Sequence, residues 1–104
     1  MGTFIIRFNP KALKDLSASF EWGVENWGTD AATRWYNELE RLIHLRLSAM
    51  PESCPIAPEN EEFDLEVRYL IFGRYRVIFV VKDDVVLVLH IRGPFVDHVF
   101  DEVD

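Results

Sequence analysis

RYRVIFVVKDDVVLVLHIR, residues 74–92, decides the fold. Two runs rich in β-branched and aromatic residues, 74–82 and 85–92, flank Asp83-Asp84. A connection that short between two such runs predicts an antiparallel hairpin. Just upstream, LEVRYLI at 65–71 reads as another strand, linked to the hairpin through Phe72-Gly73. Downstream, Gly93-Pro94 ends the last strand, because proline has no N–H to give to a ladder. The hairpin is apolar on both faces, Ile78 and Val80 alternating with Val77, Phe79 and Val81. One face can cover helices. The other calls for a partner or a second copy of the chain, or is a half-exposed sheet of β-branched residues.

Those helices lie N-terminal to the strands. TFIIRF at 3–8 reads as a first strand. Asn9-Pro10 then supplies a helix start, with asparagine as cap and proline at the first helical position, where its missing N–H costs nothing. Leu13, Leu16, Phe20, Val24 and Trp27 recur at helical spacing and predict the buried stripe. Gly28 ends that helix, Thr29 can cap a second, and Asp30 sits in its first turn facing the positive dipole end. Ala32, Trp35, Tyr36, Leu39, Leu42, Ile43, Leu47 and Met50 trace the apolar face of the second helix, which stops at Pro51. Residues 51–64, PESCPIAPENEEFD, have three prolines and no period, and read as a loop. The expected fold is α+β in the order β-α-α-β-β-β. It has an antiparallel sheet of about four strands, with the N-terminal helix hairpin packed on one face. The whole chain, 1–104, reads as one domain, with 95–104 an acidic tail that is either a short helix or disordered.

The 104 residues suffice for one hydrophobic core, and 49% apolar with 28% charged residues is a globular balance. The apolar runs are too short to span a bilayer, and MGTFIIRFNP lacks a signal-peptide pattern, so no membrane partner is expected and the location expected is cytoplasmic. A single cysteine, Cys54, forms no internal disulfide, which fits a reducing compartment. The net charge of −7 arises entirely after residue 50, where twelve acids face five bases. Most of those acids fall in the segments 59–66 and 97–104. Such a surface repels nucleic acid at long range, although a local basic groove can still bind it. No His/Cys/Asp/Glu spacing suits a metal, and no glycine loop suits a phosphate cofactor, so neither is expected.

Three stretches in order resemble the RelE/ParE superfamily of toxins from bacterial type II toxin–antitoxin modules, especially the branch called plasmid stabilization system proteins. They are FNPKALKDL at 8–16, AATRWYNELERLIHLRLSAMPESCPIAPEN at 31–60 and VRYLIFGRYRVIFVVKDDVVLVLHIR at 67–92. The resemblance implies a small toxin held by a cognate antitoxin whose extended C-terminal segment wraps it. RelE-like members cleave messenger RNA on the ribosome. ParE-like members poison DNA gyrase with the same fold and without the nuclease residues.

Metal-free RNA cleavage needs a base for the 2′-hydroxyl, an acid for the leaving oxygen and cations for the phosphorane. Arg76 matches the family's strand arginine, and His90 and Arg92 end the last strand, so these three are the catalytic candidates if the chain is an endoribonuclease. The plain alternative for Arg76 is a pair with a carboxylate or a stem packed along the sheet. A two-residue turn at Asp83-Asp84 predicts Arg76 opposite Ile91, with His90 and Arg92 on the other face. A three-residue turn predicts Arg76 across from His90. Beyond Arg92 the family pattern continues with further cations, whereas residues 93–104 contain no arginine or lysine. That departure favours a toxin that acts by binding a protein such as gyrase, or a member that retains only partner binding. His44 and His98 read as surface or satisfied histidines, and Cys54 as an unreactive thiol. Trp22, Trp27 and Trp35 are expected mostly in the core or at the helix interface.

Overall fold

The computed structural model of the protein describes residues 3–58 and 66–93. The elements run β1 (Ile5–Phe8), α1 (Pro10–Trp27), α2 (Thr29–Ala49), a 3-10 turn (Pro51–Ser53), β2 (Val67–Phe72), β3 (Tyr75–Lys82) and β4 (Val85–Arg92). This is the expected α+β order, with strand ends shifted by at most two residues. The tail 95–104, His98 and the acidic part of the long loop lie outside the described residues.

Local chemistry sets the helix starts. The Asn9 side-chain oxygen accepts from the Ala12 N–H at 2.8 Å, which satisfies one of the unpaired donors of the first turn, and Pro10 follows at the first position. Gly28, at φ 93°, both ends α1 and begins α2. Because that one left-handed residue makes the whole turn, Thr29 is already helical and forms no cap bond, contrary to its expected role.

The buried stripe of α1 also differs from the expected one. Ala12, Asp15, Leu16, Ser19 and Gly23 face inward, while Leu13 is 52% exposed. Small residues on this stripe let α1 lie close to its neighbours; a β-carbon on Gly23 would approach the Trp27 ring to 3.0 Å and Ala32 to 3.3 Å. From α2, Leu39, Ile43 and Leu47 complete the core against Val77, Phe79 and Val88 of the sheet. No helix among the described residues is long and apolar enough to cross a membrane.

The sheet order is β1-β4-β3-β2. β2, β3 and β4 are antiparallel neighbours, but β1 runs parallel to β4, with Ile5 opposite Val85 and Phe8 opposite Val88. The sheet is therefore mixed, where a wholly antiparallel one was expected. Two hairpins give β4 the direction of β2, and the long connection after α2 lets β2 start in the direction of β1. No local period encodes that choice.

On the face away from the helices, Val67, Ile78, Val80 and Leu89 are buried together with Ala57. The segment after Cys54 runs along the free edge of β2, where the Ala57 N–H donates to the Val67 carbonyl at 2.7 Å and the Tyr69 N–H to that of Pro55 at 3.1 Å. An Arg68 N–H donates to the Cys54 carbonyl at 2.6 Å and holds the segment in place. The chain thus shields its own edge strand there, and the centre of this face is buried without a second copy.

Candidate functional site

The position of the three candidates depends on one residue in β4. Asp83, at φ 57°, makes Asp83-Asp84 a two-residue connection, and Lys82 stands opposite Val85. A regular ladder from there would put Arg76 opposite Ile91. Instead the register slips between Ile78 and Phe79. Phe79 faces Val88, Ile78 faces His90, and Leu89 is the extra residue of a β-bulge. Arg76 therefore stands directly opposite Arg92. Since cross-strand partners share a face, the bulge brings Arg76, His90 and Arg92 to the outer face together; the shared face is the one expected of a three-residue turn, but the direct opposition of Arg76 and Arg92 was predicted by neither turn length.

Two guanidinium groups directly across a ladder repel each other, and that repulsion favours an anion between or beside them. The Arg76 guanidinium also lies 5.8 Å from the centre of the Tyr69 ring, close enough for a cation–π contact. The lost pairing beyond Val88 is taken up by α1. The Asn9 N–H donates to the Val88 carbonyl at 3.0 Å, and there β1 ends as a partner of β4. The Ile91 N–H, which would otherwise be orphaned, donates to Oδ2 of the buried Asp15 at 3.0 Å. Lys11 Nζ, one helical turn earlier, donates to Oδ1 of the same carboxylate at 3.0 Å. His90 Nδ1 is 3.7 Å from Oδ2, beyond hydrogen-bond reach but near enough for charge attraction.

Sequence reading missed Asp15. The signal was an acid in register with the small residues Ala12, Ser19 and Gly23, which marks the close-packed side of α1 better than the large apolar residues do. The bulge at Leu89 leaves no such mark, because its run is apolar throughout.

Chemically, the outer face concentrates positive charge where Arg76 stands opposite Arg92. Arginine stays protonated at any physiological pH, so neither guanidinium can pass a proton to a leaving group. His90, the remaining candidate, lies beside a carboxylate already engaged by a backbone N–H and a lysine. Tyr75, next to Arg76 in sequence, points to the inner face; burial pushes its phenol pKa up, opposed in part by the Ser19 hydroxyl. Burial likewise pushes the Cys54 thiol up, against the weaker pull of Arg46 and Arg68, so it is no ready nucleophile. His44 is exposed on α2. Trp35 packs against the core and meets the Trp27 ring across the two helices at 6.4 Å, as expected of a helix-interface residue, and Trp22 is half-buried. Trp27 is 43% exposed, because the buried side of α1 carries small residues instead.

Against known proteins, residues 6–93 match the family model described as ParE toxin of type II toxin-antitoxin system, parDE. The chain belongs to the ParE toxin family. No curated protein matches the sequence. Among solved structures, this ParE-family chain is similar to one from the chromosomal ParDE TA system of P. aeruginosa, with a TM-score of 0.72 and 20% identity, over 88% of this chain and 96% of that one. It is also similar to a chain of the archaeal RelE-RelB complex from Pyrococcus horikoshii OT3, with a TM-score of 0.51 and 19% identity, over 88% and 94% of the two chains. At such identities the likeness is one of fold.

Proposed function

We propose that this ParE-family protein is the toxin of a bacterial type II toxin–antitoxin module of the plasmid-stabilization kind. It acts in the cytoplasm, is held by a cognate antitoxin, and works by binding a protein target such as DNA gyrase. Membership of the family, together with structural neighbours from the ParDE system and the RelE-RelB complex, supports the antitoxin partner. The observation that carries the mode of action is the outer-face pair of Arg76 and Arg92. It supplies fixed positive charge for an anionic surface but no group that exchanges protons, and residues 93–104 add no further cation.

The experiment begins with induced expression of the chain, alone and with the adjoining reading frame. Growth arrest relieved by co-expression supports the module, and absence of arrest points to a member that retains only partner binding. Purified protein is then added to gyrase in a supercoiling assay while messenger RNA integrity is followed in arrested cells. Inhibited supercoiling with intact messenger RNA supports the reading.

One observation favours a second reading, a metal-free endoribonuclease acting on the ribosome. The bulge does bring His90 to the same face as both arginines, as a joint site requires. That reading expects degraded messenger RNA in arrested cells and loss of cleavage in Arg76→Ala.

A further inference from the structure

The free edge of β2 is covered over only part of its length. Residues 55–57 pair with it as far as Tyr69, through the bonds from Ala57 to Val67 and from Tyr69 to Pro55. Val67 and Tyr69 thus turn backbone groups toward this edge, and with a period of two Ile71 does the same. The Ile71 N–H and carbonyl meet no partner on that side among the described residues, and its side chain is 55% exposed. An uncovered apolar stretch of strand edge is a template for pairing with another chain.

Apolar surface continues from this edge onto α2. Glu38, Arg41, Leu42 and Leu45 recur at helical spacing on one stripe and, with Phe72, line an open groove of about 310 Å³. Leu45 is 63% exposed. Ile56, which faces Arg68 across the edge and so shares the helix side of the sheet with Phe72, is exposed as well. Glu38 and Arg41 lie within one turn, yet neither forms an ion pair with the other or with another described residue. The patch thus joins one exposed acid and one exposed base to exposed leucine and isoleucine.

Such a surface is complementary to itself. A partner selected by its charge needs a patch of one sign, whereas here the two signs balance, in a chain whose net charge is −7. We propose that the edge of β2 at Ile71 and the Glu38–Leu45 stripe of α2 form a two-fold interface between two copies of this chain. A two-fold axis beside Ile71 gives each part of the patch its match. Ile71 stands opposite the same residue of the other copy, and the two exchange both N–H···O bonds, as directly opposed residues of an antiparallel pair do. The two α2 helices lie side by side, with leucine against leucine and Glu38 of each copy facing Arg41 of the other. The interface does not depend on which target the toxin binds.

Sedimentation velocity of the purified full chain over a concentration series tests this. The wild-type mass should rise with concentration toward that of a dimer. Ile71→Lys and Leu45→Lys, which put charge on the edge and in the groove, should abolish the rise while far-UV circular dichroism stays unchanged. Glu38→Arg sets like charges across the axis and should weaken association about tenfold. The swap Glu38→Arg/Arg41→Glu should restore it, as only a surface that meets itself allows. Both helix positions are exposed, so these variants remain readable if Ile71→Lys folds poorly. A wild type that is monomeric at every concentration overturns the proposal, and antitoxin binding weakened by Leu45→Lys then makes the antitoxin the occupant. Self-association that survives both Ile71→Lys and Glu38→Arg overturns it too, by placing the dimer on another face.

Discussion

The two halves of β4 carry nearly the same kind of residue and do different work. Val85 to Val88 are paired on both sides, with β1 and with β3, and Val86 and Val88 point into the core. His90 to Arg92 are paired with β3 alone, and on the other edge a side chain of α1 replaces the missing strand. Between them lies Leu89, the bulge. A paired strand with both neighbours has one possible register. A strand with one neighbour and a carboxylate on its edge can be re-aimed by a single residue, and here that brings three polar groups together on the outer face.

This contrast can be broken by substitution. The largest effect belongs to the core half, where Phe79→Ala, opposite Val88 and fully buried, should cost about 3–5 kcal/mol in urea unfolding. At the other half, Asp15→Ala leaves the Ile91 N–H buried without an acceptor and should cost about 1–3 kcal/mol. Asp15→Asn, whose amide oxygen can still accept, should lose less, and amide exchange at Ile91 should quicken in the alanine variant before other β4 amides do. If Asp15→Ala is as mild as an exposed substitution, the edge is not held by α1 and the comparison fails.

Gly93→Ala tests where the second half ends. The new methyl must displace the Tyr75 ring, at a cost of about 1–3 kcal/mol. Arg76→Gln and Arg92→Gln should alter stability by no more than about 0.5 kcal/mol, with a gain possible once the cross-strand repulsion goes. Under the proposed mode of action, the same variants should weaken target inhibition. A large stability loss in either would make these arginines structural.

The smallest effect is in pH. Burial raises Cys54 above its ordinary 9.0 and Tyr75 above 10.0 in the folded chain. Between the unfolded and folded values, the folded state keeps a proton that the unfolded state has released. Their contribution is thus complete below about pH 9 and falls as pH rises. Cys54→Ala should flatten the first part of that alkaline decline in thermal melts, and Tyr75→Phe the later part.

Features set by neighbouring residues were legible without the structure. Asn9-Pro10 starts a helix because cap and fixed φ act within one turn, Gly28 turns because it lacks a β-carbon, and Asp83-Asp84 closes a hairpin because aspartate tolerates a positive φ. Arg76 was legible as a candidate through the family resemblance, and His90 and Arg92 through the end of the last strand. Their common face stayed open between two registers, since it depends on a bulge inside a uniformly apolar run. Leu13 and Trp27 were misplaced on the buried stripe of α1 because size suggested core, while close packing of α1 selected alanine, serine and glycine.

By itself, then, the sequence determined the element order, the helix hairpin, the β2–β3–β4 meander and the resemblance to the RelE/ParE superfamily, all carried by local chemistry and ordered motifs. Only the tertiary structure decided that β1 joins β4 in parallel, that Asp15 closes the edge where β1 ends, and that Arg76 meets Arg92. Each of these is a contact between residues far apart in the chain, and spacing along one segment holds no record of its partner.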